Sequence, residues 1–155
     1  MLRKINYYWR LIATGFCFAI FSGTGLILTC FLFPIYNIFW RDQENRNSLA
    51  QRSIHFFFII FMNLMKGLGI LRKNTSGTEK LNSAETYVIV ANHPTLIDVV
   101  FMLSMIPEVD CIIKKDLYDS FFLGGVVRAA GYIRNEKPET MLESCVESLQ
   151  KGKSI

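Results

Sequence analysis

An α/β layer of sheet and flanking helices, preceded by a helical membrane-anchoring region, is the architecture this sequence predicts. Three observations carry it. From Tyr87 onward, short β-branched or apolar runs alternate with stretches of helical length and pattern. Ahead of them, Leu11 to Trp40 carries no charged residue, and a second apolar segment runs from Ile54 to Leu71. The charge is split to match: residues 1–73 hold nine Lys or Arg against two acids, and residues 74–155 hold eight against eleven, so the net +4 is a +7 half beside a −3 half. A basic, apolar half next to a mildly acidic one fits a protein resting on anionic lipid and argues against a nucleic-acid partner.

Arg3, Lys4 and Arg10 precede the uncharged run, whose first 23 residues, to Phe33, would extend about 35 Å as a helix against roughly 30 Å of hydrocarbon. It is too long for a signal-peptide core and has no small-residue cleavage site, so it reads as a retained anchor. Ser22-Gly23-Thr24-Gly25 and Pro34 are the places where it could bend or turn back. Arg41, Arg46 and Arg52 on its far side balance the near-side cations, which leaves both a full span and a one-leaflet hairpin open.

The second apolar segment contains His55, Asn63 and Lys66. With Arg52 and Lys73 these fall within about 80° on a helical wheel. That stripe predicts an amphipathic helix in the membrane plane, with Phe56, Phe57, Phe58 and Phe61 toward lipid and the basic side toward headgroups or the globular half. His55 is read as a stripe residue, with a second catalytic histidine as the alternative. Asn74 to Thr78 is a polar linker, so the chain divides into an anchoring region, 1–73, and an α/β region, 74–155.

Beyond the linker the pattern predicts strand 87–91, helix 95–105, strand 109–114, helix 119–130, strand 132–134 and helix 138–151. In such a layer the site lies at the carboxyl end of the first strand, where loops meet helix amino termini. Cys17, Cys30, Cys111 and Cys145 have no paired spacing and read as reduced packing residues, which fits a cytosol-facing chain. No metal-ligand cluster is evident.

At that carboxyl end stands Asn92-His93-Pro94-Thr95-Leu96-Ile97-Asp98. Residues five apart on one helix diverge by about 140°, so His93 and Asp98 cooperate only if they are not both helical. Pro94 meets that condition by disfavouring helical geometry at His93 while starting the helix itself. Asp98 then lies in the first turn, where the helix amino end favours its charged form and it can curl back toward the imidazole. A purely structural reading stands beside this one: Thr95 to Asp98 also matches a capping box with Asp in place of Glu. Lys114 ends a strand and shares an edge with His93 if the strands run parallel; a solvated strand end is the alternative.

The stretch Asn92 to Asp98 resembles the N-H-x4-D block of the lysophospholipid and 1-acylglycerol-3-phosphate acyltransferases, the PlsC-like family. Ile112-Ile113-Lys114-Lys115-Asp116-Leu117 and Gly124 through Gly131-Tyr132-Ile133 resemble later stretches of it. The resemblance implies a glycerolipid-acyltransferase-like sheet in 74–155. It implies transfer of an acyl chain from acyl-CoA or acyl carrier protein to a lysophospholipid or acylglycerol phosphate hydroxyl, with no bound cofactor, at the cytoplasmic face of the inner or plasma membrane. His93 is then the general base, Asp98 orients it, and Lys114 and Arg134 are candidates for the acceptor's phosphate. Gly131-Tyr132-Ile133-Arg134 is shorter than the family's usual glycine-to-arginine spacing. Gly124 and Gly125 could admit an acyl chain, or simply allow close helix packing.

Members continue into a further strand and a proline-glutamate-glycine-threonine-arginine block, whereas this sequence ends at Ile155 as that strand begins. The expectation is therefore a truncated member of the family. Its alternatives are a catalytically silent membrane scaffold and a lipid-binding accessory protein.

Overall fold

The computed structural model describes residues 2–78, 81, 86–93 and 95–155. Its first half is a helical hairpin. Helix α1 (Leu2–Ile27) passes through a π-helical turn (Leu28–Leu32) into α2 (Phe33–Phe39). The Ser22–Gly25 stretch does not bend it. Instead the irregularity sits just before Pro34, whose ring crowds the carbonyl four residues back and whose missing N–H breaks the regular ladder. The wider π turn accommodates both without a kink into a second hairpin.

Reversal comes at 40–42, where Asp42 caps α3 (Gln43–Gly67) by accepting from Asn45 N at 3.0 Å. Three contacts fix the antiparallel packing: Tyr36 Oη to Ser53 Oγ at 2.8 Å, Phe21 against Phe58 and Phe61 at 6.0 and 5.3 Å between ring centroids, and Trp9 Nε1 to Leu68 O at 3.1 Å. Phe58 and Phe61 are thus buried against α1, and not turned to lipid as their spacing suggested; only Phe56 among those four is largely exposed. The reason is the partner helix, which buries more aromatic area than a lone in-plane helix can.

The second half is the α/β layer. It holds α4 (Leu96–Leu103), β1 (Ile112–Lys114), α5 (Lys115–Tyr118), α6 (Gly124–Ala129), β2 (Ile133–Asn135) and α7 (Pro138–Gln150). Strands β1 and β2 are parallel, with Ile113 opposite Arg134 and Lys114 opposite Asn135. The expected first strand is extended over 86–90 but pairs with the chain's last residues, not with β1: Ile155 N donates to Tyr87 O at 2.9 Å and Ile89 N to Ile155 O at 2.7 Å, while Asp110 N donates to Ser154 O at 2.9 Å. Residues 154–155 therefore lie between 87–89 and the start of the β1 segment. The helix expected over 119–130 is broken, because Ser120 Oγ takes Leu123 N and its carbonyl takes Gly124 N, restarting the helix as α6.

Helix α3 is the wall shared by both halves. Gln51 crosses it: Nε2 donates to Asp110 Oδ1 at 2.8 Å and to Ala130 O at 2.9 Å, and Oε1 accepts from Val109 N at 3.1 Å. Ser148 Oγ on α7 donates to the other Asp110 oxygen. All three side chains are buried. Next to them Gly131 closes α6 at φ +68°, and a Cβ there would come within 2.1 Å of Asn47 Nδ2. In the same way a Cβ on Gly125 would meet Thr29 Cγ2 at 2.1 Å, so close packing of α6 on the π turn accounts for that glycine.

Replacing Gln51 by Leu leaves a buried carboxylate, a backbone N–H and a carbonyl without their partner, which is expected to cost about 3 kcal/mol or more. Chemical denaturation of the full chain measures it. A loss below about 1 kcal/mol would mean that the network does not join the halves.

Candidate functional site

Each site residue is delivered by a short stretch of sheet or turn. The chain leaves its pairing with Ile155 at Ile89 and reaches His93 four residues later. Helix α4 opens at Thr95, whose backbone is extended (φ −134°, ψ 156°), and drives Val100 and Leu103 into the core against α3. At the far end of α4, His55 Nδ1 lies 2.8 Å from Leu103 O. A carbonyl can only accept, so Nδ1 carries the proton and His55 ties α3 to one of the last carbonyls of α4. That assigns His55 to the helix interface.

At the near end, Asp98 curls back as its place in the first turn predicts, and it meets Thr95. Its Oδ2 accepts from Thr95 N at 3.0 Å and from Thr95 Oγ1 at 2.7 Å. Its Oδ1 has no hydrogen-bond partner among the described residues. His93 is exposed and makes no hydrogen bond or ion pair among the described residues. The two candidate groups therefore flank one turn without touching through a hydrogen bond. Pro94, expected to start the helix, lies outside the described residues.

Capping and orienting are compatible uses of one carboxylate, because Thr95 takes a single oxygen. An imidazole N–H would have the other.

The basic candidates divide. Lys114, at the carboxyl end of β1, is exposed and forms no ion pair among the described residues. Arg134, one strand over, is committed: Nη2 bonds Asp119 Oδ2 at 3.0 Å, Nη1 lies 3.2 Å from Glu136 Oε2, and the guanidinium covers the Tyr118 ring at 5.3 Å. Lys115 Nζ shares Glu136 at 3.3 Å, so two cations and two carboxylates form one local network around Arg134. His93 follows Ile89 by four residues and Lys114 follows Asp110 by four, each beyond the point where its segment bonds residues 154–155, which is the edge considered for the site.

No cysteine near this edge is suited to attack a thioester. Burial, with the Asp110 carboxylate beside it, pushes the Cys111 thiol up to about 12, so it stays protonated at neutral pH. Burial likewise holds the Tyr132 hydroxyl well above its ordinary range. No group of three or more His, Cys, Asp or Glu placed to hold a metal ion is found among the described residues.

The model of the family described as Acyltransferase matches residues 72–155, which take in His93, Asp98, Lys114, Arg134 and all of the α/β half. The chain belongs to this acyltransferase family. No curated protein and no solved structure matches it. What sequence reasoning did not find in this acyltransferase is the Gln51–Asp110–Ser148 cluster, because 59 residues separate the first two and no local pattern marks them.

Thr95→Ala removes the hydroxyl that holds Asp98, and is expected to destabilise the chain by about 1 kcal/mol, as loss of an amino-terminal cap does. Thermal unfolding at fixed pH checks it, and an unchanged midpoint would show that the cap does not fix Asp98.

Proposed function

We propose that this acyltransferase works on a membrane surface, moving an acyl chain from a thioester donor, acyl-CoA or acyl carrier protein, to the hydroxyl of a lysophospholipid or acylglycerol phosphate. His93 takes the hydroxyl proton as that oxygen attacks the thioester carbonyl. The carbon–sulfur bond then breaks, and the thiolate leaves and is protonated from the imidazolium. Asp98 Oδ1 accepts the N–H of the other ring nitrogen and stabilises the imidazolium while it lasts. Lys114 offers its charge to the acceptor's phosphate.

The observation that carries the proposal is the pairing of an unengaged, exposed imidazole with a carboxylate that is rigidly capped yet keeps one oxygen free. A well-placed base supplies about 10²- to 10⁴-fold, so lipid positioning must contribute much of the remainder.

Positioning is where the hairpin enters. The segments Arg3–Phe39 and Gln43–Gly67 are long and apolar enough to cross a membrane. Yet α3 is walled by α1 on one side and by the α/β half on the other, from Asn47 at Gly131 to Lys73 over the Phe101 ring. A perpendicular α3 would drag that polar half into hydrocarbon, where its ion pairs have no compensation. A one-leaflet arrangement avoids this cost, with the exposed side of α1 and α2, Ile12, Phe18, Phe31 and Ile38 among others, in lipid. The antiparallel packing also gathers Arg3, Lys4, Arg10, Lys66, Arg72 and Lys73 at one end, suited to anionic headgroups. The cytoplasmic face of the inner or plasma membrane fits the unpaired state of all four cysteines.

Acyl transfer from a labelled thioester to lysophosphatidic acid tests the chemistry. His93→Ala is expected to lower the rate at least about 100-fold, and Asp98→Asn to lower it while leaving the fold intact. Full activity in His93→Ala would refute the base; no activity in any form would favour a silent scaffold, which the completeness of the Thr95–Asp98 cap without His93 would also suit. Separately, Phe18→Glu combined with Phe31→Glu is expected to abolish flotation with anionic vesicles, since each charge costs about 2.5 to 3.5 kcal/mol in hydrocarbon. Flotation equal to the parent would remove α1 from the membrane.

A further inference from the structure

We propose that the cleft between the π-helical turn, α2, the opening of α3 and α6 binds the phosphate headgroup of an anionic membrane phospholipid. It encloses about 540 Å³ and contains none of the candidate acyl-transfer residues. The inference rests on the membrane association argued above and is independent of the chemistry at His93.

Charge and donors define what the cleft takes. Arg46 and Arg128 line it from α3 and α6, Thr29, Tyr36 and Asn37 from the first helical arm, and no aspartate or glutamate is among the lining residues. Arg46 is held in place from one side: Nη1 donates to Trp40 O and Arg41 O, both at 3.2 Å, and Nη2 donates to the Gln43 side chain. Its Nε is buried without a partner, and so is Thr29 Oγ1 across the cleft. Arg128 spends Nη1 on Tyr118 O at 2.8 Å. Buried polar atoms are ordinarily satisfied, and the unpartnered Arg46 Nε leaves that guanidinium with a donor to spare on the side of the cleft. Two guanidinium groups with no opposing carboxylate make the matching acceptor an anion, and phosphate oxygens match the donor geometry.

The rim distinguishes a lipid from a free ion. Ile35, Ile38 and Phe39 are 45%, 77% and 72% exposed on the same helix that supplies Tyr36 and Asn37. Trp40 follows at the turn, the position that interfacial aromatic residues favour. A cationic cleft bordered by an exposed apolar ridge suits an amphiphile with an anionic head and hydrocarbon tails. A soluble phosphate would gain nothing from the ridge.

The chain has two tryptophans, Trp9 and Trp40, so Trp9→Phe leaves one reporter, which packs on Tyr36 and accepts from Arg46, both lining residues. The full chain carrying that change is mixed with phosphatidylcholine vesicles containing a brominated lipid, whose bromine quenches a tryptophan it touches. Brominated phosphatidylglycerol is expected to quench Trp40 at a lower mole fraction than brominated phosphatidylcholine. Arg128→Gln removes one lining charge, and Asn37→Asp adds an opposing one at an exposed, nearly isosteric position. Each is expected to weaken the preference about fivefold. His93→Ala is expected to keep it, so loss of acyl transfer and loss of this site are separate results. Equal quenching by the two lipids, no quenching by either, or a preference that survives both lining substitutions would overturn the proposal. A preference abolished by His93→Ala would overturn it as well, by moving the anion to the acyl-transfer edge. Inorganic phosphate that erases the preference at constant ionic strength would reassign the cleft to a free anion.

Discussion

The way the two halves of this molecule meet depends on one buried amide. Gln51 reaches from the helical hairpin to Asp110, Val109 and Ala130, and so sets the angle at which the α/β layer rides on α3. A carboxylate taken out of water is tolerated only when its oxygens are satisfied, and here Gln51 and Ser148 divide them. The apolar contacts around it, Ile54, Phe58 and Val100 among them, supply most of the burial. Such contacts are non-directional. The polar cluster gives the interface its register.

That register links packing to chemistry. Helix α4 is held against α3 by Val100 and Leu103 in the core and by His55 on its last carbonyls, so its first turn, with Thr95 and Asp98, has a fixed position relative to the hairpin. On the proposed reading, a general base gains most when the hydroxyl is delivered to it repeatedly in one geometry. The shared wall of α3 would, if the hairpin is the proposed anchor, couple its depth to the height of His93. It also explains why a chain with two helices of spanning length need not span: one of them is occupied on both sides by protein.

Much of this was legible in the sequence, and the reasons differ by element. The parallel β-α alternation follows from local period, and the capping box was readable from Thr95 and Asp98 alone. The choice of Thr95 as the partner of Asp98 Oδ2 was one of two open readings, and the structure forms that bond. Long-range facts were not legible. Phe58 and Phe61 look lipid-facing until Phe21 is placed against them. The 119–130 helix looks continuous until the side chain of Ser120 competes for its backbone. The pairing of Arg134 with Asp119 and Glu136 is likewise unmarked in the sequence around it. The pairing of Tyr87 and Ile89 with Ile155 joins residues more than sixty positions apart, and no period of 2 or 3.6 encodes it.

The central claim is that the free oxygen of Asp98 orients His93. Nitrogen-15 spectra of the imidazole rings test this most directly, because the chain has only two histidines and His55 is fixed as its Nδ1–H form by Leu103 O. In lipid-bound protein near neutral pH, His93 should show one dominant tautomer, which becomes a mixture in Asp98→Asn. Ring-nitrogen shifts for His93 that are the same in both proteins would contradict the claim.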